Sequence, residues 1–145
     1  MRFLHATNGP AVDLEWAEYQ KYLDSIKNRL PDSLFSFAHL NLHDSRIVSI
    51  TTPRKGSVSM VLSEPAYERI ESVAFTAQNI QRAFAPERFV GKCLWGHEVT
   101  LSDSALFEIR ARLETNELFI CGNSFSMTIE RINSLNTPPR TGSRK

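Results

Sequence analysis

His39 and His43 stand four residues apart, and Asp44 follows at once. On a continuous helix that spacing puts two imidazoles on one face, where with the Asp44 carboxylate they could hold a metal or share acid/base work. Leu40 follows His39, so the His-Glu-x-x-His arrangement that supplies a zinc protease with its base is missing. The chain is also expected to turn from helix to strand here, which would separate the pair. His43 and Asp44 are then expected to bond backbone groups at the start of the first strand, as short polar side chains do at element ends. They remain the candidates for catalysis, with the structural role expected first.

Cys93 and His97 offer a second constellation, a thiolate and an imidazole that could join His39 and His43 in a tetrahedral zinc site. Gly96 invites a bulge between them, which would turn the two side chains apart. Nothing near Cys93 marks it as an activated nucleophile. No metal site is therefore favoured, and no cofactor is implied. Glu98, Glu108, Glu114, Glu117 and Glu130 alternate with basic or polar neighbours, which predicts solvated strand faces rather than a paired-carboxylate centre. Neither Asn8-Gly9-Pro10 nor Gly122-Asn123 has the glycine pattern of a phosphate-cradling loop. Phe84, Phe89 and Trp95 flank Pro86 in the longest join of the strand region, and long apolar joins often carry contacts. These three are the candidate binding surface; the alternative is that they close one end of the core.

Net charge is +1, from 17 basic and 16 acidic residues among 145. That balance argues against a nucleic-acid or anionic-membrane partner, which would call for a surplus of Lys and Arg on one face. No run approaches the ~18 apolar residues of a membrane span, and the opening residues lack a signal-like apolar stretch. With no export signal, Cys93 and Cys121 are expected as reduced thiols in a cytoplasmic protein.

Trp16, Tyr19, Leu23, Ile26 and Leu30 form one stripe of a helix over Asp13–Leu30, with Asp13 as its N-cap and Pro31 as its stop. The stripe is expected to face the core, and a partner-binding groove is the alternative. Asp32-Ser33 looks like the cap of a short second helix or apolar turn through Leu40. Ile47–Thr51 and Val58–Leu62 then alternate as strands around Pro53-Arg54-Lys55-Gly56, an antiparallel hairpin. Tyr67–Phe84 is ambiguous: its periodicity leans towards helix, yet Val73, Phe75 and Ala77 also alternate. Cys93–Leu101, Ala105–Leu113, Glu117–Cys121 and Phe125–Ile132 are strands whose short joins predict sequential antiparallel neighbours. The expectation is one α+β domain over 1–134, a helical segment on a mostly antiparallel sheet of about six to seven strands, with a disordered tail over 135–145.

Leu30-Pro31, Leu42-His43-Asp44 with Ile47 and Ile50 behind it, and the late pair Glu117–Ile120 and Met127–Ile129 together resemble a group of uncharacterised bacterial domains. In that group an N-terminal helix and a Leu-His-Asp motif precede an antiparallel β-meander. The resemblance implies that the Tyr67–Phe84 region is extended, and it carries over no catalytic residues. Some small domains of this build serve as immunity proteins beside toxin genes, an analogy of fold alone. The resulting expectation is a non-catalytic protein-interaction domain, accessory or immunity-like, with a protein partner or a second copy of itself. The alternative is a small metal-binding protein or enzyme centred on His43 and Asp44.

Overall fold

The computed structural model describes residues 1–6, 9–65, 69–78, 88–102 and 106–131. Helix α1 (Pro10–Ile26) leads through a 3₁₀ turn, Lys27–Arg29, to α2 (Asp32–His39). Strands β1 (Arg46–Thr51), β2 (Ser57–Ser63), β3 (Ile70–Gln78), β4 (Gly96–Leu101), β5 (Phe107–Arg112), β6 (Glu117–Gly122) and β7 (Ser124–Arg131) follow. The class is α+β, and every strand pairing is antiparallel. The strands form two sheets, ordered β1-β2-β3-β7 and β4-β5-β6.

α1 begins at Pro10, directly after Gly9 in a left-handed conformation, and not at a capping Asp13. Proline suits the first helical position because its missing N–H would have no intrahelical acceptor there. Asp13 instead lies in the first turn, near the positive end of the helix dipole. Tyr19, Leu23, Ile26 and Leu30 are buried as the stripe predicts, whereas Trp16 is exposed. Leu30 takes extended angles before Pro31, as steric conflict with the proline ring requires. No side chain caps α2; the Ser33 hydroxyl donates to the Phe125 carbonyl of β7 at 3.3 Å.

The β1–β2 hairpin turns at Arg54–Ser57, with Gly56 in the left-handed region. A bulge between Ile47 and Ser49 lets Ile47 and Ile50 both face the core and pushes Val48 out. Residues 70–78 of the ambiguous segment are a strand. Val73, Phe75 and Ala77 are buried, and β2 and β7 flank it on both sides. Two partner strands decide the matter over a periodicity that fitted either element. Tyr67 and Phe84 lie outside the described residues, as does the tail over 135–145.

One pairing differs from expectation. β7 follows β6 after a single residue but leaves β5 and β6 to pair with β3 in the other sheet. Gly122-Asn123 is thus a corner between sheets and not a hairpin turn. A Cβ on Gly122 would collide with the Gln78 carbonyl oxygen, so only glycine lets the strands meet there. The Asn123 N–H donates to that same carbonyl at 3.3 Å. At the opposite end, residues 91–94 run beside β1, with an Arg46–Cys93 bridge and a bond from the Ile47 N–H to the Lys92 carbonyl. The sheets are therefore joined at both ends, with Phe37 of α2 packed between them against Phe75, His97 and Phe125.

Candidate functional site

A cleft of about 420 Å³ opens where α1, the first residues of the chain, the α2–β1 link and the start of β4 meet. Trp16, Trp95, His39, His43, His97 and Arg112 are among the side chains lining it. Its walls follow from local folding. α2 ends at His39 with Leu40 already extended, so His39 and His43 do not share a helical face. Residues 42–45 then make a tight turn in which the Ser45 N–H and hydroxyl both reach the Leu42 carbonyl, at 3.0 and 2.7 Å. Asp44 sits in the left-handed region there, a conformation Asp tolerates. Its N–H donates to the Leu94 carbonyl, which sets residues 91–95 beside the start of β1.

The imidazoles of the cleft are tied to protein oxygens. His43 donates from Nδ1 to the Trp95 carbonyl at 2.9 Å, and its Nε2 faces the Asp44 carboxylate at 3.5 Å. His39 donates from Nδ1 to the Phe35 carbonyl at 2.8 Å and meets the Gln20 amide through Nε2 at 3.1 Å. His97 donates from Nε2 to the Phe37 carbonyl at 2.8 Å. An imidazole serving as general base must turn a nitrogen to the reacting proton; both nitrogens of His43 are directed at protein groups. Cys93 pairs through its backbone with Arg46 and does not line the cleft. Among the described residues no group of three or more His, Cys, Asp or Glu side chains is placed to hold a metal ion.

Burial depresses the His97 imidazole to about 4, with its bond to Phe37 opposing the shift, so the folded protein keeps it neutral. An unfolded His titrates near 6.5. Above that value both states are neutral and the stability is fully present; as the pH falls towards 4 only the unfolded chain takes up the proton, and stability is lost. Between about pH 7 and pH 5 this amounts to about 2 kcal/mol. Denaturant melts at the two pH values should show that loss for the wild type, with His97→Gln losing much less. Equal losses in both proteins would assign the acid sensitivity elsewhere.

The first six residues form one wall of the cleft and are held by carboxylates. Glu98, 0 % exposed, accepts the backbone N–H groups of Arg2 and of Phe3, the latter at 3.0 Å. This corrects the expected solvated face: the strand turns Glu98 beneath the opening segment. Glu15 of α1 accepts the N–H groups of His5 at 2.6 Å and Ala6 at 2.8 Å. The Ala6 bond, then the His5 bond, holds its carboxyl below the usual range. Arg112 donates through both terminal nitrogens to the His5 carbonyl. Beside this wall, the outer edge of β4 is closed by α1. The Tyr19 hydroxyl accepts from the Val99 N–H at 2.5 Å and donates to the Val99 carbonyl at 3.2 Å, and Tyr22 accepts from the Leu101 N–H at 2.8 Å. Burial raises the Tyr19 phenol far above its usual range, so it keeps its proton to donate.

Of the residues singled out from the sequence, His39, His43, His97 and Trp95 come together on the cleft. Phe89 is buried in the core, and Phe84 lies outside the described residues. Trp16 is the lining residue that the stripe argument misplaced. It is 40 % exposed, and Trp95 is 45 % exposed. A signal did exist: Val12, Leu14 and Trp16 are apolar at every second position, which no single helix face can bury, and all three are exposed.

No curated protein and no solved structure matches the chain. A family model described as "Protein of unknown function (DUF4085)" matches residues 11–122, from the start of α1 to the end of β6. That span contains both tryptophans, all three cleft histidines and Arg112. The uncharacterised domain family that the Leu-His-Asp turn and its surroundings resembled is thereby identified: the chain belongs to the DUF4085 family.

Proposed function

We propose that the protein is a non-catalytic binding protein whose cleft accepts an apolar side chain of a protein partner. One observation carries this reading: the only two tryptophans of the chain both line the cleft, and each is close to half exposed. Tryptophan offers large contact area at small entropic cost, and it is enriched among the residues that dominate protein–protein affinity. Val12 on the same lining extends the apolar surface. The imidazole geometry supports binding over catalysis, since the nitrogens described above are spent on backbone carbonyls, a carboxylate and an amide. The near-zero net charge favours a protein partner over nucleic acid. Free thiols at Cys93 and Cys121 fit a reducing compartment, and the cytoplasm is the location proposed. No described helix is long and apolar enough to cross a membrane.

The test is comparative capture. Tagged wild type, Trp16→Ala and Trp95→Ala are used to isolate partners from the native cell, and the captured partner is purified and titrated against each. Each substitution should weaken binding by roughly 30-fold or more, the cost of truncating a dominant interface residue. The melting temperature should change little, because each indole is substantially exposed. Unchanged affinity in both variants would refute the cleft as the binding site.

A further inference from the structure

The edges of the two sheets are not treated alike. Residues 91–94 occupy the outer edge of β1, with the Gly91 N–H donating to Ile47 and the Leu94 N–H to Ser45, both at 2.8 Å. Tyrosine hydroxyls close the edge of β4. β7 is the terminal strand of its sheet, and it has no such cover among the described residues beyond one bond, from Ser33 to the Phe125 carbonyl. That bond shows which way the strand faces. The Phe125 carbonyl turns away from β3, and the strand period of two turns the backbone groups of Met127, Ile129 and Arg131 the same way. Native edges are usually blunted by proline, by charged side chains or by a bulge. Ser124–Arg131 contains no proline, its two charged residues, Glu130 and Arg131, stand together at its end, and its register with β3 is unbroken from Ser124 to Glu130.

We infer that β7 is the interface of a homodimer, in which two copies pair their β7 strands antiparallel about a twofold axis at Thr128. The occupant follows from the strand's self-match. With Thr128 opposite Thr128 of the second copy, Met127 meets Ile129 and Ser126 meets Glu130, and the Phe125 carbonyl, held by Ser33, marks where the pairing ends. Threonine thus faces threonine, a favourable cross-strand pair. The two partly buried apolar residues, Met127 and Ile129, cover one another. Glu130 meets a serine and avoids its own copy. Met127 and Ile129, whose N–H and C=O groups point outward, exchange backbone bonds across the axis. The two four-stranded sheets then become one continuous sheet. No β7 residue lines the tryptophan cleft, so this dimer neither requires nor blocks binding there.

Because Thr128 directs its backbone groups inward to β3, its side chain can be changed without breaking the sheet, and the Thr128 pair across the axis is of the close, non-hydrogen-bonded kind. Its Cα atoms would lie about 4.5 Å apart, within disulfide range. Sedimentation of the wild type over roughly a hundredfold range of concentration should show a monomer passing to a dimer. Thr128→Lys, which sets like charges across the axis, should remain monomeric over that range with an unchanged far-ultraviolet spectrum and melting temperature. Under mild oxidation Thr128→Cys should give a covalent dimer, whereas Ser126→Cys, placed opposite Glu130, should not. A wild type that stays monomeric throughout would overturn the inference. So would a dimer untouched by Thr128→Lys, or crosslinking by Ser126→Cys as efficient as by Thr128→Cys.

Discussion

Gly122→Ala is expected to destabilise the fold by about 3 kcal/mol or more, the upper range for forcing extra volume into a packed site. The new methyl would collide with the Gln78 carbonyl oxygen and lie 3.5 Å from the Phe107 ring. A flexible side chain could move aside; a carbonyl within β3 cannot move without disturbing its ladders to β2 and β7. The same carbonyl accepts the Asn123 N–H, so displacement also breaks the bond that fixes the corner. Equilibrium denaturation gives the magnitude. Gly96→Ala is the control: its Cβ would meet only the end of the Met1 side chain at 3.9 Å, and a change within about 0.5 kcal/mol is expected. Equal, small effects in both variants would show that the corner does not hold the sheets together.

Glu98→Ala should cost about 3 kcal/mol, or a fall in melting temperature of about 10 °C. The carboxylate is fully buried and accepts two backbone N–H groups, so truncation leaves both donors without an acceptor. Hydrogen bonds to a charged group are worth more than neutral ones, and orphaned buried donors bear the full desolvation cost. The loss should also be local. Hydrogen exchange should show faster exchange at Arg2 and Phe3, with the β2–β3 ladder keeping its relative protection, because those amides reach only Glu98. Glu98→Gln, which keeps one acceptor, should fall between wild type and alanine. A Glu98→Ala protein as stable as wild type would mean that the other contacts of the opening segment, those of Glu15, Arg112 and Glu117 among them, suffice to hold it.

These two residues show where the sequence could be read and where it could not. The helix stripe from Tyr19 to Leu30, the β1–β2 hairpin and the alternating strand of Phe107, Ile109 and Ala111 rest on local periodicity. The structure reproduces the buried stripe, the hairpin and the strand. α1 nevertheless ends at Ile26, four residues short of the expected Leu30, which follows a 3₁₀ turn in extended conformation. Glu98 looked like a solvated acid because its partners, the amides of Arg2 and Phe3, lie 96 and 95 residues away and are backbone groups that carry no signature. Gly122-Asn123 is one of the short joins between the late strands, and a tight hairpin and a sheet-switching corner both favour such residues. The deciding contact, Gln78, belongs to another strand. His43 and Asp44 were read as backbone-bonding residues at the start of the first strand, and the contacts of the Leu42–Ser45 turn are of that kind. The cleft itself was half legible: Trp95 stood out in its join, but Trp16 was assigned to the core because it extends the buried stripe by one more step.

Tryptophan fluorescence reports directly on partner binding in the cleft between Trp16 and Trp95, because the chain has no other tryptophan. In a titration with a tryptophan-free fragment of the captured partner, binding should shift the emission to shorter wavelength and protect both indoles from acrylamide quenching. Trp16→Phe and Trp95→Phe should each retain part of the shift. A partner that binds with full stoichiometry while leaving the emission and the quenching unchanged would contradict the account.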